Sequence, residues 1–146
     1  MSENFIALVV VAKNKDGEVL KVSAKVHEWC SPLKAEVAAV LWTIQLALSE
    51  NQQYIIIEGD AKSCFDSLTI SDLQPNWSIA TTISNILDLR NSFLNCNFHW
   101  VRGCYNIAAH EATKYAIRSC RAFFFNKCNL PIVIVDACKA NNHLYF

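Results

Sequence analysis

Two acidic residues stand in sequence contexts where a carboxylate could do chemistry. Glu36 lies in the first turns of an otherwise apolar stretch with helical spacing, and Asp60 directly follows a short β-branched run. A carboxylate that faces an apolar scaffold is costly unless a positive charge, such as a divalent cation, neutralises it. Hard oxygen ligands of this kind suit Mg²⁺ or Mn²⁺. Glu36 and Asp60 are therefore the candidate metal ligands of this chain.

Each of these residues also has an ordinary structural interpretation. A glutamate near a helix N-terminus is commonly a partner of the helix dipole or of the cap, which is one alternative for Glu36. An aspartate after a strand is commonly the N-cap of the next helix, which is the alternative for Asp60. The residue types alone leave both alternatives open.

The elements that must position these residues begin with a hairpin. A β-branched run over residues 5–12 is followed by Asp16 and Gly17, and Asp-Gly is a strong turn signal. Residues 20–27 then alternate, which predicts a strand with one buried face and one wet face that carries Ser23. Ser31 and Pro32 are typical of a helix start, and the apolar spacing extends this helix to about residue 50.

The remaining pattern predicts helices and strands in alternation. Residues 54–58 form a short continuous β run, typical of a strand buried on both faces, and a short helix is expected over 61–68. Apolar spacing predicts a further helix over 79–93, alternation predicts a strand over 97–101, and residues 107–121 are typical of a helix. Trp42 and Trp100 are expected to be core aromatics. A hairpin followed by this order predicts a mixed sheet with helices on its faces, whose later strands are parallel.

Composition limits the classes of function. The chain has 146 residues, of which 53% are hydrophobic, and this fits one domain with one core. Lys plus Arg equals Asp plus Glu at 13 each, so the basic excess of a dedicated nucleic-acid binder is absent. Nucleic-acid binding must then come from a local patch or a metal ion, and we expect it to be weak.

Cysteine usage and the N-terminal sequence indicate the compartment. The 7 cysteines are an odd number, show no CxxC spacing and follow no secretory leader, which favours reduced thiols used as small apolar residues. The apolar run over residues 5–12 is too short to cross a membrane. The sequence therefore predicts an intracellular protein, cytoplasmic or nuclear, with no secretory signal and no membrane partner.

Five short motifs follow one another in a set order. They are the hairpin turn Asp16-Gly17, then Ala35-Glu36, Glu58-Gly59-Asp60-Ala61, Phe98-His99-Trp100-Val101-Arg102 and Asn106-Ile107-Ala108-Ala109-His110. In this order they resemble the ribonuclease H-like superfamily, and most closely its plant reverse-transcriptase-like branch, over about residues 5–115. The resemblance implies a single ribonuclease H-like domain over residues 1–146, with a core over about 5–121 and a C-terminal extension over 122–146.

The resemblance also implies an activity and a site. The family uses divalent ions held by four carboxylates to cut the RNA strand of RNA–DNA hybrids, which it recognises largely by shape and 2′-hydroxyls. Glu36 matches the family's helix glutamate and Asp60 the aspartate after a central strand, so these two are the expected metal ligands for Mg²⁺ or Mn²⁺. His110 stands where the family has its last aspartate, and it is the third candidate catalytic residue. Glu111 is a poor substitute, since it points about 100° around the helix from His110.

One departure from the family pattern concerns the sheet. The family's opening strand, which carries its first catalytic aspartate, has no counterpart, because the hairpin aligns with the second and third family strands. The slot of that strand is expected to be filled by another chain or by the tail of this one. Residues 132–135 have the pattern of a buried strand that ends at Asp136, which could supply the missing carboxylate; a tail packed on the surface is the alternative.

Two functions of different classes follow. The first is a nucleic-acid-binding ribonuclease H-like domain with hybrid-directed, metal-dependent RNA cleavage as the family activity and an incomplete catalytic set. Its partner would be an RNA–DNA hybrid or a structured RNA, bound weakly. The alternative is a catalytically inactive interaction module, in which a protein partner or self-association fills the vacant strand slot.

Overall fold

The computed structural model describes residues 5–102, Glu111, Lys114 and residues 123–126. The chain divides into two compact units, one made of Cys30–Arg102 and the other of the residues before and after that segment. We describe each unit by itself. One domain over residues 1–146 stays a prediction.

The first unit is built on a hairpin. Strand β1 (Phe5–Lys13) pairs antiparallel with strand β2 (Val19–Glu28). In the turn, the Asn14 side-chain oxygen accepts hydrogen bonds from two backbone N–H groups, each at 3.0 Å. Gly17 adopts a φ of 80°, a left-handed conformation that favours glycine over residues with a Cβ. The hairpin predicted from Asp16 and Gly17 is confirmed.

Strand β2 is more deeply buried than the alternation predicted. A short strand from the C-terminal extension, β5 (Phe123–Asn126), pairs antiparallel with β2, so that β2 lies between β1 and β5. Ser23, expected on a wet face, is only 1% exposed, whereas Leu20 is 43% exposed. The expectation of one wet face is wrong at Ser23, which lies between β1 and β5 in the sheet and has Phe124 of β5 as its pairing partner.

The second unit begins with helix α1 (Pro32–Ser49). The Ser31 hydroxyl accepts a hydrogen bond from the Lys34 backbone N–H at 3.4 Å, and Pro32 occupies the first helical position. Both features were predicted from the residue types, since serine caps helices and proline needs no hydrogen-bonded N–H there. The predicted helix start is confirmed.

A parallel strand pair forms the centre of this unit. Strand β3 (Tyr54–Gly59) pairs with strand β4 (Asn95–Trp100), with Tyr54 opposite Asn95 and Gly59 opposite Trp100. Between them in sequence lie helices α2 (Lys62–Thr69) and α3 (Ala80–Arg90), which provide the crossover that a parallel pair requires. The predicted parallel arrangement is confirmed, but the expected burial of β3 on both faces is wrong, since Tyr54 is 68% and Ile56 58% exposed.

The core of the second unit receives side chains from all five of its elements. Helix α1 packs against α2, α3 and β3, and α2 packs against β4. The buried cluster consists of Val37, Val40, Ile44, Ile57, Cys64, Phe65, Leu68, Ile79, Ile83, Ile86, Phe93, Cys96 and Phe98. At about 25 cal/mol per Å² of buried apolar surface, a cluster of this kind is the main stabilising term of the unit.

The later predictions fall mostly outside the described residues. Within the predicted helix over 107–121, Glu111 and Lys114 are helical and form an ion pair at 3.2 Å. His110, the segment 132–135 and Asp136 lie outside the described residues. In the described part of the chain, no helix combines the length and hydropathy needed to cross a bilayer.

Gly59, the last residue of β3, is in close contact with the core. A Cβ added at Gly59 would lie 2.6 Å from Cε2 of Phe65, a ring that is only 1% exposed and cannot easily move. We predict that Gly59→Ala lowers the free energy of unfolding by about 1–3 kcal/mol, the usual cost of overpacking a core. Urea unfolding of the purified protein measures this change.

The control for this prediction is Gly59→Ala in a variant whose Phe65 side chain has been replaced by the smaller leucine. If the Phe65 ring causes the loss, Gly59→Ala costs less in a Phe65→Leu background than in the wild type. Equal costs in the two backgrounds would show that contact with Phe65 is not the cause.

Candidate functional site

Asp60 lies at the carboxyl end of the parallel strand pair. It directly follows Gly59, whose backbone C=O accepts a hydrogen bond from the Val101 backbone N–H at 2.8 Å. The two strands therefore remain hydrogen-bonded at the point where Asp60 leaves the sheet. This is the edge at which α/β sheets gather their ligands, as the sequence predicted for Asp60.

The capping alternative for Asp60 is wrong. Helix α2 begins at Lys62 and its N-cap is Ala61, with no side-chain hydrogen bond to the cap. Asp60 thus precedes the cap position, and its carboxylate does not serve as the helix cap. The half-buried Asp60 side chain stands instead at the junction of β3 and α2.

The capping alternative for Glu36 is wrong as well. Ser31 caps helix α1, and the first turn of the helix holds no acidic residue. Glu36 is one turn further into the helix, where the effect of the helix dipole has largely decayed. Its side chain is half-buried on α1, beside the fully buried part of the helix that starts at Val37.

The buried thiol of Cys64 is affected by the charge of Glu36. The pKa of Cys64 is raised to about 12, first because burial penalises the thiolate and second because the Glu36 carboxylate repels it. The charge of Glu36 therefore acts on the Cys64 thiol, within the same unit of the chain. Because Cys64 is in the first turn of α2, just after Asp60, both carboxylates belong to the same region of the second unit.

Trp100 lies at the same end of the strand pair, and the sequence did not predict this. Its indole Nε1–H donates a hydrogen bond to the backbone C=O of Asp60 at 3.1 Å. The Lys62 ammonium lies 5.9 Å from the centroid of the Trp100 ring and forms an ion pair with Asp66 at 2.9 Å. Trp100 was expected to be a core aromatic, but it is 44% exposed.

A signal in the sequence could have found Trp100. Parallel strands end at the same edge of a sheet, so the residues that end β3 and β4 are neighbours. Pairing the end of Glu58-Gly59-Asp60 with the end of His99-Trp100-Val101 places Trp100 beside Asp60. The apolar character of tryptophan favoured the core instead.

The two candidate carboxylates are the type of ligand that a hard divalent cation prefers, but they are only two. Glu36 and Asp60 provide carboxylate oxygens, the ligands that Mg²⁺ and Mn²⁺ prefer. Across residues 5–102 and the few described residues beyond them, no group of three or more His, Cys, Asp or Glu is placed to hold a metal ion. Glu36 and Asp60 both lie in the second unit, on α1 and after β3, and their pairing as metal ligands stays a prediction; His110 lies outside the described part.

Comparison with known structures identifies the fold. The chain is similar to the crystal structure of RNase H1 from the halophilic archaeon Halobacterium salinarum NRC-1, with a TM-score of 0.68 and 16% sequence identity. The match covers 79% of this chain and 86% of the archaeal chain. The predicted ribonuclease H-like fold is therefore confirmed.

Comparison with family models then identifies the family. The reverse transcriptase-like family model matches residues 4–116, which is most of the chain. The chain belongs to the reverse transcriptase-like family, within the ribonuclease H-like superfamily. No curated protein matches the sequence.

The proximity of Glu36 to Cys64 has a measurable effect on stability at alkaline pH. The thiol pKa is 9.0 in the unfolded chain and about 12 in the folded protein, so from pH 9 upwards the unfolded state loses a proton that the folded state keeps. We predict that Cys64 makes the free energy of unfolding fall between pH 9 and pH 12, by at most about 1.4 kcal/mol per pH unit. Below pH 9 the thiol makes no pH-dependent contribution.

Urea unfolding at pH 8, 9.5 and 10.5 would test this prediction, with the pH values chosen to bracket the titration of the unfolded thiol. We expect Cys64→Ala to remove this part of the decline. Glu36→Gln should reduce it, because the neutral amide no longer repels the thiolate. A decline that is identical in Glu36→Gln and wild type would place Glu36 too far from Cys64 to matter.

Proposed function

We propose that this chain binds RNA–DNA hybrid with one divalent cation, Mg²⁺ or Mn²⁺, held by Glu36 and Asp60. The observation that supports the proposal is that Asp60 follows β3 directly, while the charge of Glu36 acts on the thiol of Cys64 in the first turn of the next helix. A cation held there would supply positive charge for a backbone phosphate of the nucleic acid. Membership of the reverse transcriptase-like family supports the hybrid as the ligand.

Two positive side chains near the site support phosphate binding. Lys62, next to Trp100, and Arg102, just after β4, are both exposed. Phosphate contacts of this kind position a nucleic acid without reading its sequence. Since the chain as a whole carries no net charge, binding should depend on the local cation and these side chains, and it should weaken as salt is added.

Cleavage of the RNA strand is the family reaction, and we propose that it is slow or absent here. Two carboxylates leave too little negative charge to hold two divalent ions close together. We keep His110 as a proposed third member of the site, on the resemblance alone. A neutral histidine favours softer ions than Mg²⁺, so replacing an aspartate by His110 should weaken the second ion site further.

We predict that Asp60→Asn and Glu36→Gln each weaken hybrid binding in Mn²⁺ by about tenfold, which corresponds to about 1.4 kcal/mol. The reason is that each amide removes a charged ligand of the cation. Fluorescence anisotropy with a labelled RNA–DNA hybrid, in Mn²⁺ and in EDTA, measures the affinity. The same samples on a denaturing gel show whether the RNA strand is cut.

Asp88→Asn is the matched control, since Asp88 is exposed on α3 and its loss also removes one negative charge. We expect it to bind as the wild type does. Binding that is equal in Mn²⁺ and EDTA, or unchanged by Asp60→Asn, would overturn the metal site. Cleavage that survives in Asp60→Asn would show that the cutting does not depend on the Asp60 carboxylate.

A second candidate function, strand addition at the edge of β1, is favoured by the sheet of the first unit. In the described residues, β2 is the strand that pairs with β1, and the tail strand β5 pairs with the opposite side of β2. Among the described strands, none pairs with the outer edge of β1, a strand of nine residues whose alternate backbone groups point that way. We propose that a strand of a second copy of the chain can occupy this edge.

Hydrogen exchange of the β1 amides tests this second function. Every other amide of an edge strand points outward, and such amides exchange quickly unless a strand covers them. We predict that these amides become protected as protein concentration rises, in step with the mass measured by light scattering. Protection that does not depend on concentration would mean that no second copy is needed to cover the edge.

A further inference from the structure

We infer that Trp100 is a positioning residue for the proposed cation site, an inference that rests on the proposed function of Glu36 and Asp60. The indole N–H of Trp100 donates to the backbone C=O of Asp60 at 3.1 Å, across forty positions of sequence. It thereby ties the residue that carries the candidate ligand to the end of the neighbouring strand. Nothing in the family resemblance assigns this role to Trp100.

The junction between β3 and α2 is held from several directions. The Val101 backbone N–H donates to the C=O of Gly59 at 2.8 Å, and the Trp100 indole holds the next residue. The Phe65 ring packs so closely on Gly59 that no Cβ fits. The Trp100 hydrogen bond thus adds a contact on the Asp60 peptide group to the backbone pairing and core packing that hold Gly59.

The exposure of Trp100 argues against a purely structural role. A tryptophan that serves the core is usually well buried, as Trp42 is at 9% exposure, whereas Trp100 is 44% exposed. Its ring also lies beside the ammonium of Lys62, in the first turn of α2. Trp100 therefore contacts the segment on both sides of Ala61, the segment that sets the direction of the Asp60 carboxylate.

Trp100→Phe is the informative substitution, because it keeps an aromatic ring and removes the N–H donor. We expect it to weaken Mn²⁺ binding by about threefold to tenfold, the range that corresponds to the loss of one ordinary hydrogen bond. Isothermal titration of the full chain with MnCl₂ measures the affinity. Trp77→Phe is the control, since Trp77 is 87% exposed in the loop before α3 and the same atoms are removed there.

A second readout separates positioning from general stability. The chain has 4 tryptophans, so the indole N–H signal that disappears in Trp100→Phe identifies Trp100 in a ¹⁵N spectrum. We expect this signal to broaden before the other three when substoichiometric Mn²⁺ is added to the wild type. We also expect the urea midpoints of Trp100→Phe and Trp77→Phe to be similar, since neither change empties the core.

The outcomes distinguish the role of Trp100 from the existence of the cation site itself. Wild-type Mn²⁺ affinity in Trp100→Phe, or early broadening of a different indole, would overturn the role of Trp100 while leaving the cation site in place. Absence of Mn²⁺ binding by the wild type would remove the cation site and the role of Trp100 together. A selective loss of affinity in Trp100→Phe, with Trp77→Phe unchanged, would establish the inference.

Discussion

The parallel pairing of β3 with β4 is the constraint on which the candidate site depends. Its register sets Gly59 opposite Trp100, and a shift by one residue would turn each side chain of β4 to the other face of the sheet. Phe98, which packs in the core, and Trp100, which reaches Asp60, would then exchange places with their polar neighbours. The same register therefore fixes both the core of the second unit and the surroundings of Asp60.

The core and the site are coupled through helix α2. Phe65 packs under Gly59 and Cys64 lies fully buried, so the first turn of α2 is held firmly against the end of β3. This packing determines where the chain goes after Asp60. It also brings a buried thiol close to the Glu36 carboxylate, and the raised pKa of Cys64 reports the low polarity of that region. A carboxylate in such surroundings gains more from a bound cation than it would in water.

The sequence predicted the local features of the fold because they depend on few neighbours. The turn at Asp16 and Gly17, the cap at Ser31 and the end of β3 at Asp60 each follow from the conformational preferences of one or two residues. The burial of Ser23 did not follow, because it depends on β5, a strand a hundred residues further along the chain. Likewise, hydropathy placed Trp100 in the core, since it contains no information about which strand ends are adjacent.

In the candidate site, too, the sequence predicted the residues that depend on adjacent sequence but not the contacts that depend on tertiary packing. Asp60 was predicted from the strand that precedes it, and Glu36 from the helix that carries it, whereas the packing of α1 against α2 could not be predicted from either. Trp100 adds a donor that only the strand register reveals.

The small number of acidic ligands changes what such a site can do. A site with four carboxylates can offset two divalent ions, whereas Glu36 and Asp60 together match the charge of one. One ion can attract and orient a phosphate, but it cannot stabilise the attacking and the leaving oxygen as two ions do. The neutral chain adds little long-range attraction for nucleic acid, so the affinity must come from contacts near Asp60. This combination is the physical reason for our proposal that the chain binds the hybrid with one cation and cuts it slowly or not at all.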